Sequence, residues 1–240
     1  MRSLLFWSLF PFVLPQAILV KKNAPRFRSA RGPTSGAVGT GKTLQLVAIG
    51  DSIISGVGAP TLDKALAGQT AATLADTLDA NIHWTALGST GANTKKILDR
   101  LVPRLPDHPV DFFLISAGVN DVTSLATVAN WKEDLQDLLQ AIRAHSPNAI
   151  LAVAGIPPLR GFPLLPQPLR ALFGVRADTF DLAANQLIQD QQQVIYIPLD
   201  FEPRPELFSE DGFHPSEASY SVFGQLMGSR LAEAYNTNQK

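Results

Sequence analysis

Cysteine is absent from this 240-residue chain. Its absence excludes disulfides, thiol nucleophiles and thiolate metal sites, and leaves the redox compartment open. Histidine is scarce. His83, His108, His145 and His214 are the only four, and none is paired at metal-ligand spacing, so no metal site is expected. Charged residues make up 17% of the chain with a formal net charge of -1, which removes the electrostatic case for a nucleic-acid partner. No internal repeat is evident, and no cofactor is expected. What the chain does have is apolar substance, 45% of its residues, enough to bury the core of one α/β domain.

Much of that apolar content opens the chain. Residues 4–20 are almost uninterrupted, broken by Ser8, Pro11, Pro15 and Gln16, with Arg2 before them and Lys21, Lys22, Arg26, Arg28 and Arg31 after. A secretory signal would need a small-x-small cleavage site, and here Ile18-Leu19-Val20 runs straight into lysines. The other reading is a short spanning or interfacial anchor over residues 1–22, slightly under the ~20 apolar residues a bilayer needs and kinked by two prolines. Membrane association is the favoured expectation, with the basic residues holding the domain on the cytoplasmic side. An exported protein is the alternative. Residues 23–43, rich in Gly, Pro, Ser and Arg, read as a flexible linker. Within them Gly36-Ala37-Val38-Gly39-Thr40-Gly41-Lys42-Thr43 fits the phosphate-loop pattern at every fixed position. A phosphate loop works by leaving a strand and opening a helix whose amides face the phosphates. Here the order is reversed, so the match is read as a linker end.

From residue 44 strands and helices alternate. The run 44–49 reads as a buried strand that stops at Gly50-Asp51-Ser52, and further strands are expected at 82–87, 110–117, 149–154 and 194–197. Helices are expected over 62–78, 95–101 and 131–144, with another closing at 186–193 and a last one starting near Pro215. This rhythm indicates a parallel sheet covered on both faces. One segment departs from it. Residues 156–174 carry Pro157, Pro158, Pro163, Pro166 and Pro168 among Phe162, Leu164, Leu165 and other apolar side chains. It reads either as a packed connection or as an apolar wall for an acyl chain.

In open α/β sheets ligands bind beyond the carboxyl ends of the strands, and four loops there carry polar groups. Ser52 offers a hydroxyl, Gly91 an N–H that a substrate oxygen can approach without a Cβ in the way, and Asn120 a side-chain amide. Asp211 and His214 offer a carboxylate and an imidazole three residues apart. A serine becomes a nucleophile when a base takes its proton, and that base needs a carboxylate to fix its tautomer. Each piece has a plainer explanation: Ser52 as a helix N-cap, Asn120-Asp121 as a turn, His214 as a cap before Pro215.

Taken in order, Gly50-Asp51-Ser52, Gly118-x-Asn120-Asp121 and Asp211-x-x-His214-Pro215 resemble the SGNH hydrolases, also called the GDSL family. The α/β-hydrolase elbow G-x-S-x-G is not met, because Ile54 stands where its second glycine belongs. The resemblance implies a three-layer α/β/α, flavodoxin-like domain with a five-stranded parallel sheet over residues 44–236. It implies Ser52 as nucleophile, His214 as base and Asp211 as its orienting carboxylate. The Ser52 N–H, the Gly91 N–H and the Asn120 side chain would form the oxyanion hole. There are two departures. Ile53 replaces the leucine usual after the serine. The second block lacks its usual asparagine, having Thr85, Ala86 and Leu87 before Gly88, so Gly88 stays a second candidate donor beside Gly91.

The implied activity is metal-independent hydrolysis of a carboxylic ester through an acyl-serine. Family members act on short acyl esters, lysophospholipids, thioesters and acetylated sugars. Ile53, Phe162, Leu164 and Leu165 are the candidate substrate contacts, and the partner is a small acyl ester, with a lipid favoured by the apolar segments. Acyl transfer or thioester cleavage at the same site is the alternative within the chemistry. A nucleotide-binding protein using residues 36–43, or a membrane-tethered domain with a dead site, is the alternative outside it. Chain order argues against the former, and the intact Ser52, Asp211 and His214 against the latter.

Overall fold

The structure is a computed structural model that describes residues 2–25 and 28–238. Met1 of the apolar segment and Arg26 and Phe27 of the expected linker lie outside the described residues. The strands are β1 Ser35–Val38, β2 Lys42–Gly50, β3 Ala80–Gly88, β4 Phe112–Ser116, β5 Ile150–Ala154 and β6 Val194–Ile197. The helices are α1 Arg2–Asn23, α2 Leu66–Leu78, α3 Thr94–Leu101, α4 Val119–Thr123, α5 Val128–His145, α6 Leu169–Ile188 and α7 Glu217–Asn238.

Strand alternation sets the layers. Along β2, Leu44, Leu46 and Ala48 enter one core while Val47 and Ile49 enter another. Along β4, Phe112 and Leu114 join the first core, and Phe113 and Ile115 the second. Because both faces of the strands are buried, their sequences read as continuous apolar runs rather than alternating ones. Helices α2 and α7 close the first core, and α1, α3, α5 and α6 the second. Each fully buried Ile or Phe of these strands adds about 1.5–3 kcal/mol over its exposed state.

The sheet order is β1-β3-β2-β4-β5-β6, parallel throughout except for β1, which runs antiparallel to β3. The five parallel strands have the flavodoxin-like order. The chain winds from β2 to β3 on one side and then crosses to β4 on the other, so the switch point lies between β2 and β4. Their carboxyl ends meet there, with Gly50 opposite Ser116. A Cβ on Gly50 would stand 2.2 Å from the Ser116 carbonyl oxygen, so glycine is what lets the two chain ends approach.

Several expectations need correction. The five expected parallel strands are joined by a sixth, antiparallel one, because part of the stretch expected to be a flexible linker pairs with β3 as β1. The apolar N-terminal run forms a helix continuous through Pro11 and Pro15, and it lies on α6. The helix expected to close at 186–193 ends at Ile188 and begins far earlier, at Leu169, directly after the last proline of the apolar segment. The expected first helix is shorter, starting at Leu66, since residues 62–65 form turns.

The phosphate-loop match spans β1, a turn and the first residues of β2. Lys42 pairs with Ala80, the first residue of β3, at the opposite end of the sheet from Gly50 and Gly88. No helix opens from the turn, and Lys42 Nζ donates to the Tyr235 hydroxyl at 3.0 Å.

Candidate active site

Ser52 is the second residue beyond β2. It sits in a turn where the Ser55 N–H donates to the Asp51 carbonyl and the Val57 N–H to the Ser52 carbonyl. Buried Tyr220 of α7 closes the turn from behind, its hydroxyl donating to the Val57 carbonyl at 2.7 Å. Beyond β4 the chain must turn sharply into α4. Gly118 does so at φ 117°, where a side chain would also strike Ile156. Asn120 then faces the Ser52 turn across the switch point: its Nδ2 donates to the Ala92 carbonyl at 2.9 Å and lies 3.4 Å from Asp51 Oδ2.

The loop before α7 brings the imidazole. Asp211 Oδ1 accepts the N–H groups of Phe213 (2.7 Å) and His214 (2.8 Å), which folds the four residues into a tight turn. Its other oxygen, Oδ2, is 2.9 Å from His214 Nδ1, and His214 Nε2 is 2.8 Å from Ser52 Oγ. Ser52 and His214 are buried, and Asp211 is partly so. Burial pushes the Asp211 carboxyl up, but the His214 imidazole and the two backbone N–H groups outweigh it and hold the group below its ordinary value.

Of the two glycines open as donors, Gly88 is packed: a Cβ there would stand 2.3 Å from the Ser55 nitrogen. Gly91, at φ 76°, has nothing within 4 Å of an added Cβ, and it lines an open groove together with Asn120.

Residues 48–222 match the model of the GDSL-like lipase/acylhydrolase family. The chain belongs to that family. A similar curated protein is the GDSL-like esterase Rv1075c of Mycobacterium tuberculosis, 27% identical over 199 residues, 80% of this chain and 62% of that one. The chain thus spans somewhat less than two thirds of that relative. Among solved structures, the family 3 carbohydrate esterase of Clostridium thermocellum superposes with a TM-score of 0.62 at 18% identity, covering 81% of this chain and 99% of that one. The psychrotrophic esterase EstA of Pseudoalteromonas sp. gives 0.60 at 19% identity, covering 80% and 98%. At these identities the likeness is one of fold, which in this GDSL-family chain is a mostly parallel sheet flanked by helices.

The four expected substrate contacts fall around two spaces. Ile53 and Phe162, with Ser52 and Asn120, line a small cavity of about 60 Å³. Leu164 and Leu165 line the groove, of about 630 Å³, with Gly91, Asn120 and Phe213. The proline-rich segment is tied to the histidine loop, since the Leu164 N–H donates to the Gly212 carbonyl at 3.0 Å and Phe162 packs edge-on to Phe213. His83, His108 and His145 lie elsewhere, on β3 and at loop junctions. Among the described residues no cluster of His, Asp and Glu could hold a metal ion.

Two buried carboxylates went unrecognised as site residues. Asp51 Oδ1 accepts from the Ile53 N–H at 3.0 Å and the Ser116 hydroxyl at 3.3 Å, tying the Ser52 turn to the end of β4. Burial pushes its pKa up to about 6. Asp121, likewise pushed up to about 6 by burial, accepts from the N–H and hydroxyl of Thr94, and the Trp131 indole donates to the same hydroxyl. This network holds the start of α3 beside the residue that follows Asn120. The Gly-Asp-Ser and Asn-Asp motifs contained both residues, but only the fold shows what their side chains join.

Proposed function

We propose that this chain is a carboxylic ester hydrolase working through an acyl-serine intermediate at Ser52. The observation that carries the reading is the continuous relay from Ser52 Oγ to His214 Nε2 (2.8 Å) and from His214 Nδ1 to Asp211 Oδ2 (2.9 Å). In this mechanism Ser52 Oγ attacks the ester carbonyl while His214 Nε2 takes its proton. The carbonyl oxygen becomes an oxyanion, stabilised by the N–H groups of Ser52 and Gly91 and by Asn120 Nδ2. Asn120 is pre-positioned for this, because its bond to Ala92 fixes the amide while its contact to Asp51, at 3.4 Å, is long enough to yield. Collapse breaks the bond to the alcohol oxygen, which leaves with the proton from His214. Water then attacks the acyl-serine, with His214 again taking and returning the proton. Asp211 stays ionised, holds the proton on Nδ1 and stabilises the imidazolium that forms.

Hydrolysis of 4-nitrophenyl acetate by the full-length protein, lost in Ser52→Ala, tests the reading. A Ser52→Ala protein that keeps its rate contradicts it.

We also propose that α1 rests against a lipid surface. The helix is 22 residues long, with three side chains buried on the domain and Leu4, Leu5, Trp7, Leu9 and Phe12 exposed. A helix held along the domain by one face, with an apolar opposite face and Lys21 and Lys22 at its end, suits contact with a membrane surface better than a crossing.

A further inference from the structure

The N-terminal run contains a polar side chain whose partners lie some 150 residues away. Gln16 Nε2 donates to the Gln167 carbonyl at 2.8 Å, and Gln16 Oε1 accepts the Leu169 N–H at 3.1 Å, at the start of α6. Phe6 and Phe10 of α1 pack edge-on to Phe173, and the buried Arg176 guanidinium lies 4.6 Å from the Phe6 ring and 4.8 Å from the Phe180 ring. A helix serving only as a tether has no need of this registry. What the registry produces is the groove. Phe10, Leu14 and Ala17 of α1 line it together with Leu125, Leu165 and Phe173 of the domain, and Gly91 and Asn120 belong to the same lining. Its charged lining residues are Lys21 and Lys96, both exposed, and among the described residues no carboxylate borders it; Asn93, Asn120, Thr123 and Ser124 are its other polar side chains. The rest of the lining is apolar or glycine, which offers a hydrocarbon chain apolar walls.

We propose that this groove binds a hydrocarbon chain of the ester substrate and that α1 supplies one of its walls. The proposal rests on the esterase reading and extends it. The site is then two-sided: the 60 Å³ cavity beside Ser52 takes the short branch of the ester and the 630 Å³ groove takes the long one. Each methylene buried in the groove raises kcat/KM by about fourfold, the equivalent of ~0.8 kcal/mol, until the groove is filled. The long branch could belong to the acyl group or to the alcohol, and two substrate series separate these sources.

The experiment uses the full chain, with 4-nitrophenyl esters from acetate to octanoate as one series and acetates of alcohols from ethanol to octanol as the other. The readout is the ratio of kcat/KM for the longest to the shortest substrate, which cancels differences in folded fraction. One series is expected to rise with length, and its identity names the branch that enters the groove. In Ala17→Trp, which fills the groove from α1, the ratio for that series falls at least tenfold, and in Ala17→Leu it falls by less. Leu182→Gln, on the exposed face of α6 and outside the groove lining, leaves the ratio unchanged. Fluorophosphonate labelling of Ser52 is measured in every variant. Ratios within twofold of the parent protein in both Ala17 variants, with labelling intact, overturn the groove proposal alone. Absence of labelling and of all ester hydrolysis in the parent protein overturns the esterase reading beneath it.

Discussion

Asp211→Asn tests the geometry of the histidine loop in detail. In the native loop Oδ1 accepts two backbone N–H groups and Oδ2 faces His214 Nδ1 at 2.9 Å. An asparagine must keep its oxygen at the Oδ1 position, since its NH₂ there would face two donors. The NH₂ therefore takes the Oδ2 position and points at Nδ1, which can meet it only as an acceptor. The imidazole proton moves to Nε2, the nitrogen 2.8 Å from Ser52 Oγ, and the base is lost without any change of shape. In comparable triads a wrong tautomer lowers kcat on the order of 10⁴-fold, about 5 kcal/mol of barrier. His214→Ala should lose more, since removing the base itself costs on the order of 10⁶ in such sites. Steady-state hydrolysis of 4-nitrophenyl acetate reads both, with Asp63→Asn, an exposed carboxylate outside the site, as control. The same variant has a signature in stability. Asp211 titrates below its ordinary value when folded, so its contribution is complete above the unfolded carboxylate range and is lost as pH falls through the lower folded value. Asp211→Asn should flatten that acid limb in urea melts. A variant within tenfold of the parent rate would refute the claim that Asp211 sets the His214 tautomer.

The remaining predictions concern neighbouring groups. Asn120→Ala should lower kcat by about 10²–10³ with little change in KM, the cost of one oxyanion donor, and a rate within threefold of the parent would remove Asn120 from that role. Thr94→Val keeps the shape but strands the Trp131 N–H and takes one bond from Asp121. It should cost about 3 kcal/mol by urea denaturation, and a loss under about 0.5 kcal/mol would show that the network adds nothing. The full chain should sediment with phosphatidylcholine vesicles, and replacing Leu4, Leu5 and Phe12 together by Gln should release it. Equal partitioning of the two proteins would contradict membrane contact through α1.

The strands that carry the site were legible because each runs apolar on both faces and ends at a polar turn, as 44–49 ends at Gly50-Asp51-Ser52. Ser52, Asn120, Asp211 and His214 stood out as candidates through the resemblance of three motifs taken in order, since each motif alone has a plainer reading. One of them also has a local geometry, the Asp211 carboxylate accepting N–H groups two and three residues on. What stayed hidden depends on partners far along the chain. β1 is four residues of Ser, Gly, Ala and Val whose pairing with β3 has no side-chain signature. The start of α6 was masked by the prolines before it, and Asp51 drew no reading of its own because its partner Ser116 lies at the end of another strand. Gln16 looked like a blemish in an apolar run, because its partners, Gln167 and Leu169, lie in a segment that sequence spacing cannot bring near.

The central claim is that Ser52 forms a covalent bond to the acyl group. A fluorophosphonate probe added to the full-length protein, followed by peptide mass spectrometry, tests it most directly. The account predicts one adduct, on Ser52, whose formation is abolished in His214→Ala. An adduct on another serine, or none on folded protein that hydrolyses esters, would contradict it.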